Sequence, residues 1–439
     1  MTKSSPMRAP DINHDVVAKK ACYVGVAGKA RKVKKIYTGV DNKARKVKKA
    51  YVGVGGVARP FFSAESKLSY YGTVTPLSEE SPGLAATTVG SYGLFAGGGD
   101  GTYYYSNIVD AYSETLVRST PTGLSEGRYD LAAATVGSYG FFGGGFASAG
   151  GEDAQTRTVD VYSASLARLY TAMLDNPRQG LAATAVGKFV LFGGGYASGA
   201  YTDSVDAYTV TIVHRTPTPL SEEKGYLAAT TVGKYALFGG GMNIVVGGIP
   251  RVDAYNEALV RSSAPDLSDS AGGLAATTVG NFGVFAGGVD VGAYRNIVDA
   301  YSPSLVRTSL NNLSLPRQNM AATTVGDYAL FGGGYRGSGE AIVDAYNASL
   351  VHSTPPPLSE DRADLAATTV GDYALFGGGK TNTNDYSSTV DAYTVEGVGG
   401  NEPKPPEPPE PGTDPDKPED LTNKYPGGSW PDKVHGDDE

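Results

Sequence analysis

Leu365-Ala-Ala-Thr-Thr-Val-Gly-Asp-Tyr-Ala-Leu-Phe-Gly-Gly-Gly379, followed by Val390-Asp-Ala-Tyr393, is one copy of a sentence that the chain writes seven times. The copies open at Leu84, Leu131, Leu181, Leu227, Leu274, Met320 and Leu365, a period of 45 to 50 residues. A unit of that length carrying four short β-like runs has the size and rhythm of a propeller blade. Strand a falls on Leu-Ala-Ala-Thr-Thr-Val and strand b on Tyr-Ala-Leu-Phe-Gly-Gly. Strand c falls on Val-Asp-Ala-Tyr and strand d on Leu-Val-Arg-Ser-Thr-Pro. Small Ala and Thr side chains in strand a suit the crowded axis, and the aromatics of strand b (Tyr92, Phe95, Phe141, Phe142, Phe189, Phe192) fill the space between sheets.

After Tyr393 no d strand follows. The missing one stands upstream, where Leu68-Ser-Tyr-Tyr-Gly-Thr-Val-Thr-Pro-Leu-Ser78 matches the strand d sentence with one extra residue. The expected fold is all-β: a seven-bladed propeller over residues 62–398, closed by an N-terminal strand so that no sheet edge is left open.

Outward from the repeats the composition changes twice. Residues 21–61 hold Tyr23-Val-Gly-Val, Tyr37-Thr-Gly-Val and Tyr51-Val-Gly-Val, separated by two copies of Lys-Ala-Arg-Lys-Val-Lys-Lys. Ala27-Gly28, Asp41-Asn42 and Gly55-Gly56 suit two-residue hairpin turns, so this segment reads as a small basic β-meander. Residues 399–439 turn to Pro, Glu, Asp and Lys, a composition with too little to bury, and residues 1–20 are expected to be a flexible start. The net charge of −9 conceals this asymmetry: 19–49 carry twelve Lys/Arg against Asp41, and 401–439 carry eleven Asp/Glu against four Lys.

Several function classes lose their residues. Cys22 stands alone, which excludes an intramolecular disulfide and a Cys-based zinc site. Met1–Lys20 has no apolar core for a secretion signal, and no apolar run is long enough to span a bilayer. The Gly-Gly-Gly triplets lack the Gly-Lys-Ser/Thr of a phosphate loop; their recurrence predicts a backbone that bends or approaches a neighbour closely. The repeated Asp of strand c (Asp110, Asp160, Asp206, Asp253, Asp299, Asp344, Asp391) recurs too often to be a catalytic pair. A basic partner at a fixed offset in strand d (Arg118, Arg168, His214, Arg261, Arg307, His352) predicts structural cross-strand pairs, with Tyr70 in that place in the closing strand. Each is worth about 0.2–1 kcal/mol. With His214 and His352 so occupied, no His set remains for a metal or a nucleophile triad, so neither catalytic residue, metal nor cofactor is expected. The basic stretch at 29–49 lacks the aromatic groove of a nucleic-acid binder and reads as a solvated face or a protein-docking patch.

The variable parts are the b–c loops, which share one face with the d–a loops in an antiparallel four-stranded sheet. They supply Tyr103, Tyr104, Tyr105, Tyr196, Tyr201, Tyr294, Tyr335 and Tyr386, and the d–a loops supply Arg128, Arg178, Arg317 and Arg362. Diverse aromatic and polar loops on a uniform frame are how a binding face is built, for sugars or peptides. The same tips read equally as ordinary solvated turns.

Strand b ending in Gly-Gly and strand c ending in an aromatic, so spaced, resemble the kelch repeat over residues 68–395, although the Trp usual in strand d is absent. Lys-Ala-Arg-Lys-Val-Lys-Lys-Xaa-Tyr-Val-Gly-Val, closing in Gly-Gly-Val-Ala-Arg-Pro-Phe61, resembles N-terminal modules of tail-associated and minor structural proteins of phages and prophages of Firmicutes. The resemblance implies a virion component that attaches to other virion proteins through 21–61 and displays its propeller to a bacterial surface glycan or protein. Release by lysis would explain the missing signal. A glycan-active enzyme and a purely structural decoration protein are the alternatives it leaves open.

Overall fold

The computed structural model describes residues 67–99, 105–149, 152–382 and 385–396 and, ahead of these, the strand backbones within 23–63. The expectations for residues 1–20 and 399–439, and the loop residues Tyr103 and Tyr104, lie outside the described residues.

Seven four-stranded antiparallel sheets succeed one another along the chain, and no helix occurs among the described residues. The first is built from Ala85–Val89, Tyr92–Ala96, Val109–Ser113 and Arg118–Ser119. The next five repeat that order. In the last, Ala366–Val370, Tyr373–Gly377 and Val390–Glu396 take Lys67–Val74 as their fourth strand. Its register runs Val390↔Val74 to Glu396↔Lys67, with a bulge at Tyr71, so that Ala392 faces Gly72 and Tyr393 faces Tyr70. The extra residue of the 68–78 segment is thereby absorbed. The result is a propeller-like all-β fold.

Each sheet is pinned by the same three devices. The strand c Tyr is buried and donates its hydroxyl to a carbonyl of the loop entering its sheet: Tyr112 to Thr75 at 2.7 Å, Tyr255 to Thr218 at 2.8 Å, Tyr393 to Pro356 at 2.7 Å. Its ring meets the strand b Phe edge-on, as in Phe238–Tyr255 with centroids 5.9 Å apart. Glycines at the end of strand b and just beyond it are close approaches. A Cβ on Gly143 would lie 2.7 Å from the Phe192 ring of the next sheet, and one on Gly98 would strike Ser81 Oγ. This accounts for the triplets as backbone rather than chemistry.

The expected Asp pairs are present. Asp253–Arg261 is 2.9 Å, Asp206–His214 and Asp344–His352 are 2.6 Å, Asp299–Arg307 is 3.4 Å, and Asp110–Arg118 and Asp160–Arg168 are looser at 3.7 and 3.9 Å. Tyr70 donates to Asp391 at 2.6 Å.

One expectation is corrected. Tyr23–Val26 pairs with Lys29–Lys32, Tyr37–Val40 with Lys43–Lys46 and Lys49–Val54 with Val57–Ser63. Among the described residues these are three separate two-stranded hairpins, not one meander. The turn pairs fall outside the described residues.

Candidate functional site

Immediately before each strand a stands one residue in the left-handed backbone region: Gly83, Asp130, Gly180, Tyr226, Gly273, Asn319 and Asp364, with φ between 52° and 65°. Their backbones hydrogen-bond in sequence. Asp130 N–H donates to Gly83 O, Gly180 to Asp130, Tyr226 to Gly180, Gly273 to Tyr226, Asn319 to Gly273, Asp364 to Asn319, and Gly83 back to Asp364, at 2.7–3.3 Å. Glycine, Asn and Asp tolerate this conformation; a Tyr at φ 52° is uncommon there.

Inside this ring lies a cavity of about 560 Å³. Its floor is the first residue of each repeat, Leu84 through Leu365 with Met320, and its rim is polar: Asp130, Tyr226, Asn319 and Asp364, joined by Lys380 and Tyr386. A side groove of about 490 Å³ leads off past Asn319, Asp364 and Lys380 to Gln318 and Asn382. Asn319 Nδ2 donates to Asp364 Oδ1 at 2.7 Å. Burial, reinforced by the Asp364 charge, pushes the Asp130 carboxyl up to about 7. Burial also raises Asp364, against the opposing influence of the Asn319 bond and the Lys380 charge. The Tyr226 phenol is pushed up to about 12 by burial and the nearby Asp130.

The tyrosines singled out in the sequence divide. Tyr386 lines the cavity. Tyr196 and Tyr201 pack edge-on at 5.4 Å, and Tyr201 touches Tyr226 at 6.5 Å, so they brace a rim residue from outside. Tyr105 stacks on Tyr129 at 5.8 Å, and Tyr294 meets Tyr335 at 6.2 Å. The segments carrying Tyr196, Tyr201 and Tyr294 form small two-stranded ladders, and those of Tyr105, Tyr335 and Tyr386 are tied by single bridges.

The four arginines are a correction. Arg128, Arg178, Arg317 and Arg362 are completely buried and offer nothing to a ligand. Each reaches the strand c Asp of its own sheet: Arg128–Asp160 at 2.9 Å, Arg178–Asp206 at 2.7 Å, Arg317–Asp344 at 2.8 Å, and Arg362 on Asp391. Lys224 does the same to Asp253 at 3.2 Å. The strand c carboxylate draws them inward because a buried charge needs a partner. In the remaining two loops the slot holds Ser81 and Ala271. Every rim residue with a side chain (Asp130, Tyr226, Asn319, Asp364) follows such a buried cation by two positions, whereas Gly83 and Gly273 follow Ser81 and Ala271. The correlation is partial, because Gly180 follows Arg178: four of the five loops with a buried cation carry a rim side chain.

The residues that sequence reasoning missed are Asp130, Tyr226, Asn319, Asp364 and Lys380. For the first four the signal was available as departures from glycine at one register position of the repeat. Among the described residues, the group with metal-ligand spacing is Asp175, Asp206 and His214. Its atoms are engaged with one another and with Arg178: His214 Nε2 and the Asp175 N–H both meet Asp206 Oδ1. No helix among the described residues is long and apolar enough to cross a membrane. No protein-family model matches the chain, and no curated protein matches it.

Proposed function

We propose that the seven sheets are the blades of a closed kelch-type propeller, and that the chain is a non-enzymatic binding module of a phage virion. The ring of backbone bonds through Gly83 and Asp364 and the pairing of Lys67–Val74 with Val390–Glu396 support the closure. Residues 21–61 attach the module to other virion proteins, and the mouth face takes a bacterial surface glycan or protein.

The observation that carries the binding reading is where the repeat is broken. Strands a, b and c are nearly verbatim in every unit, yet the ring position changes from Gly to Asp, Tyr and Asn, and it changes around a cavity. An apolar floor with a few convergent polar groups is the usual make-up of a small-ligand site. The full chain, applied to a glycan array and to envelope fractions of candidate hosts, should bind, and Tyr226→Ala should weaken that binding. Absence of binding to every fraction sinks the reading.

The presence of Asp130 and Asp364 on one cavity rim favours one second reading, a glycan-active enzyme, because two carboxyls in unequal environments are what acid–base cleavage of a sugar bond uses. New reducing ends released from a bound glycan by the wild type, and lost in Asp130→Asn, would establish it over simple binding.

A further inference from the structure

We propose that the mouth cavity recognises its ligand through an ammonium group, seated beside Gly83 between Asp130 and Asp364 on the rim. This deepens the binding reading above by naming the ligand class, and it rests on that reading.

The seat is defined by an absence of side chain. In the ring, Gly83 stands between the two acids: its N–H donates to Asp364 O at 3.0 Å and its carbonyl accepts from the Asp130 N–H at 2.9 Å. A Cβ built on Gly83 would lie 3.3 Å from Asp130 Oδ1, so any larger residue would occupy the space beside that carboxylate. Asp364 already has Asn319 as a donor and the Lys380 charge nearby. Among the described residues no donor reaches the Asp130 carboxyl; burial and the Asp364 charge are what act on it. Lining the cavity with the Asp364 charge close enough to act on it, this carboxyl suits a cation with hydrogens to donate. The aromatic faces of Tyr129 and Tyr226 on the same wall suit one as well.

The surroundings select among cations. Two carboxyls against one lysine repel an anion. A divalent ion takes six or more oxygens, or near-ideal octahedral geometry, and the lining residues offer two carboxylates, one of them committed to Asn319. The Leu floor takes an apolar body or a sugar face, and the side groove past Gln318 and Asn382 offers amides to hydroxyl groups. An amine on an aliphatic or sugar body meets all of these; an aliphatic amine and an amino sugar share that chemistry.

Protonation gives the site a signature. The groups facing Asp130 are Asp364, Lys380, Tyr129, Tyr226 and Tyr386. Of the two acids, Asp130 is the one placed near neutrality, at about 7. An ammonium pairs with its ionised form, so apparent affinity follows the ionised fraction. Between pH 8 and pH 5.5 that fraction, and with it the affinity, falls roughly thirty-fold.

The test uses ligand-observed NMR on the full chain with n-butylamine, n-butanol and butyrate at the two pH values, then oligomers of glucosamine and of glucose. Butylamine should bind, and bind more weakly at pH 5.5, while butanol and butyrate do not compete. Asp130→Asn should remove both the binding and its pH dependence, and Gly83→Ala should weaken binding with Asp130 intact; thermal melts confirm that each variant is folded. Tighter binding by glucosamine oligomers than by butylamine would identify the amino sugar as the source, and equal binding the simple amine. Equal uptake of butanol or butyrate, or butylamine binding unchanged in Asp130→Asn, overturns the proposal. Loss of amine binding with envelope binding intact overturns it alone; amine binding without any envelope binding overturns the broader reading alone.

Discussion

The innermost strands end in two cavities, one at each end, and the two could hardly differ more. The end described above changes its chemistry from sheet to sheet. At the other end a cavity of about 520 Å³ is lined by the Ala-Thr-Thr of five repeats and by Thr135 and Thr184 of the other two. There Thr135 donates to Thr88 O, Thr231 to Ala185 O, Thr278 to Thr231 O, Thr324 to Thr278 O, Thr369 to Thr324 O and Thr88 to Thr369 O. A second set of hydroxyl pairs ties neighbours, as Thr184–Thr231 at 2.9 Å and Thr277–Thr324 at 3.0 Å. Where this pattern is interrupted it is interrupted on both sides at once: Ala134 and Ala185 occupy the two Thr places that would meet, and both join one apolar cluster. Uniformity at this end serves cohesion, since a half-satisfied buried hydroxyl is worse than none. Variation at the mouth breaks no such network, because the ring there is made by the backbone and leaves the side chains at liberty.

The sharpest test of this contrast lies beneath the mouth. Asp391→Ala leaves Arg362 fully buried without its carboxylate and should destabilise by about 3–5 kcal/mol. Asp299→Ala, whose loop has Ala271 in place of a cation, should lose only its bonds to Ser268, Ser309 and Arg307, about 1–3 kcal/mol. Urea denaturation of the two variants compares them, and equal losses would remove the anchoring role given to the buried cations.

Next in size is the pH dependence. The Asp130 carboxyl is raised in the folded chain, to about 7 from an ordinary 3.8. Its contribution to stability is therefore greatest below the unfolded value and is lost as pH rises through 7. Melts at pH 5 and pH 8 should differ in favour of pH 5, and Asp130→Asn should erase roughly 2–4 kcal/mol of that difference. At the uniform end, Ala134→Thr alone should cost about 1–3 kcal/mol by burying an unmatched hydroxyl. The double change with Ala185→Thr should recover much of this, and additive losses in a double-mutant cycle would deny the paired interruption. Smallest is Tyr255→Phe, which removes one buried hydroxyl from Thr218 O and should cost about 1 kcal/mol by the same denaturation assay.

Much of the frame was legible because it rests on short-range regularities. Alternation and punctuation located strands a, b and c, and a single displaced copy of the strand d sentence found its sheet at the other end of the repeats. The fixed offset from Asp to Arg or His foretold a contact because both lie on adjacent strands of one hairpin. The candidate site was less legible. An arginine in a loop looks solvated until a carboxylate in the same sheet is found to hold it at zero exposure. The c–d turns likewise defied local rules. Leu116, Leu166, Ile212, Leu259, Leu305 and Leu350 adopt φ near 60°, where glycine or Asn would be expected. Each packs its side chain against a core cluster, as Leu305 and Leu350 do, and that burial offsets a backbone cost of about 1–2 kcal/mol.

The sequence by itself determined the repeating four-stranded unit, its aromatic filling and its charged hairpin pairs, since each depends on residues near one another along the chain. Only the tertiary structure decided which side chains turn inward and which meet. Asp130 and Asp364 belong to loops entering the second and the last sheet. They come to one cavity rim, on either side of Gly83, through the backbone bonds from Gly83 to Asp364 and from Asp130 to Gly83, long-range contacts that no local pattern encodes.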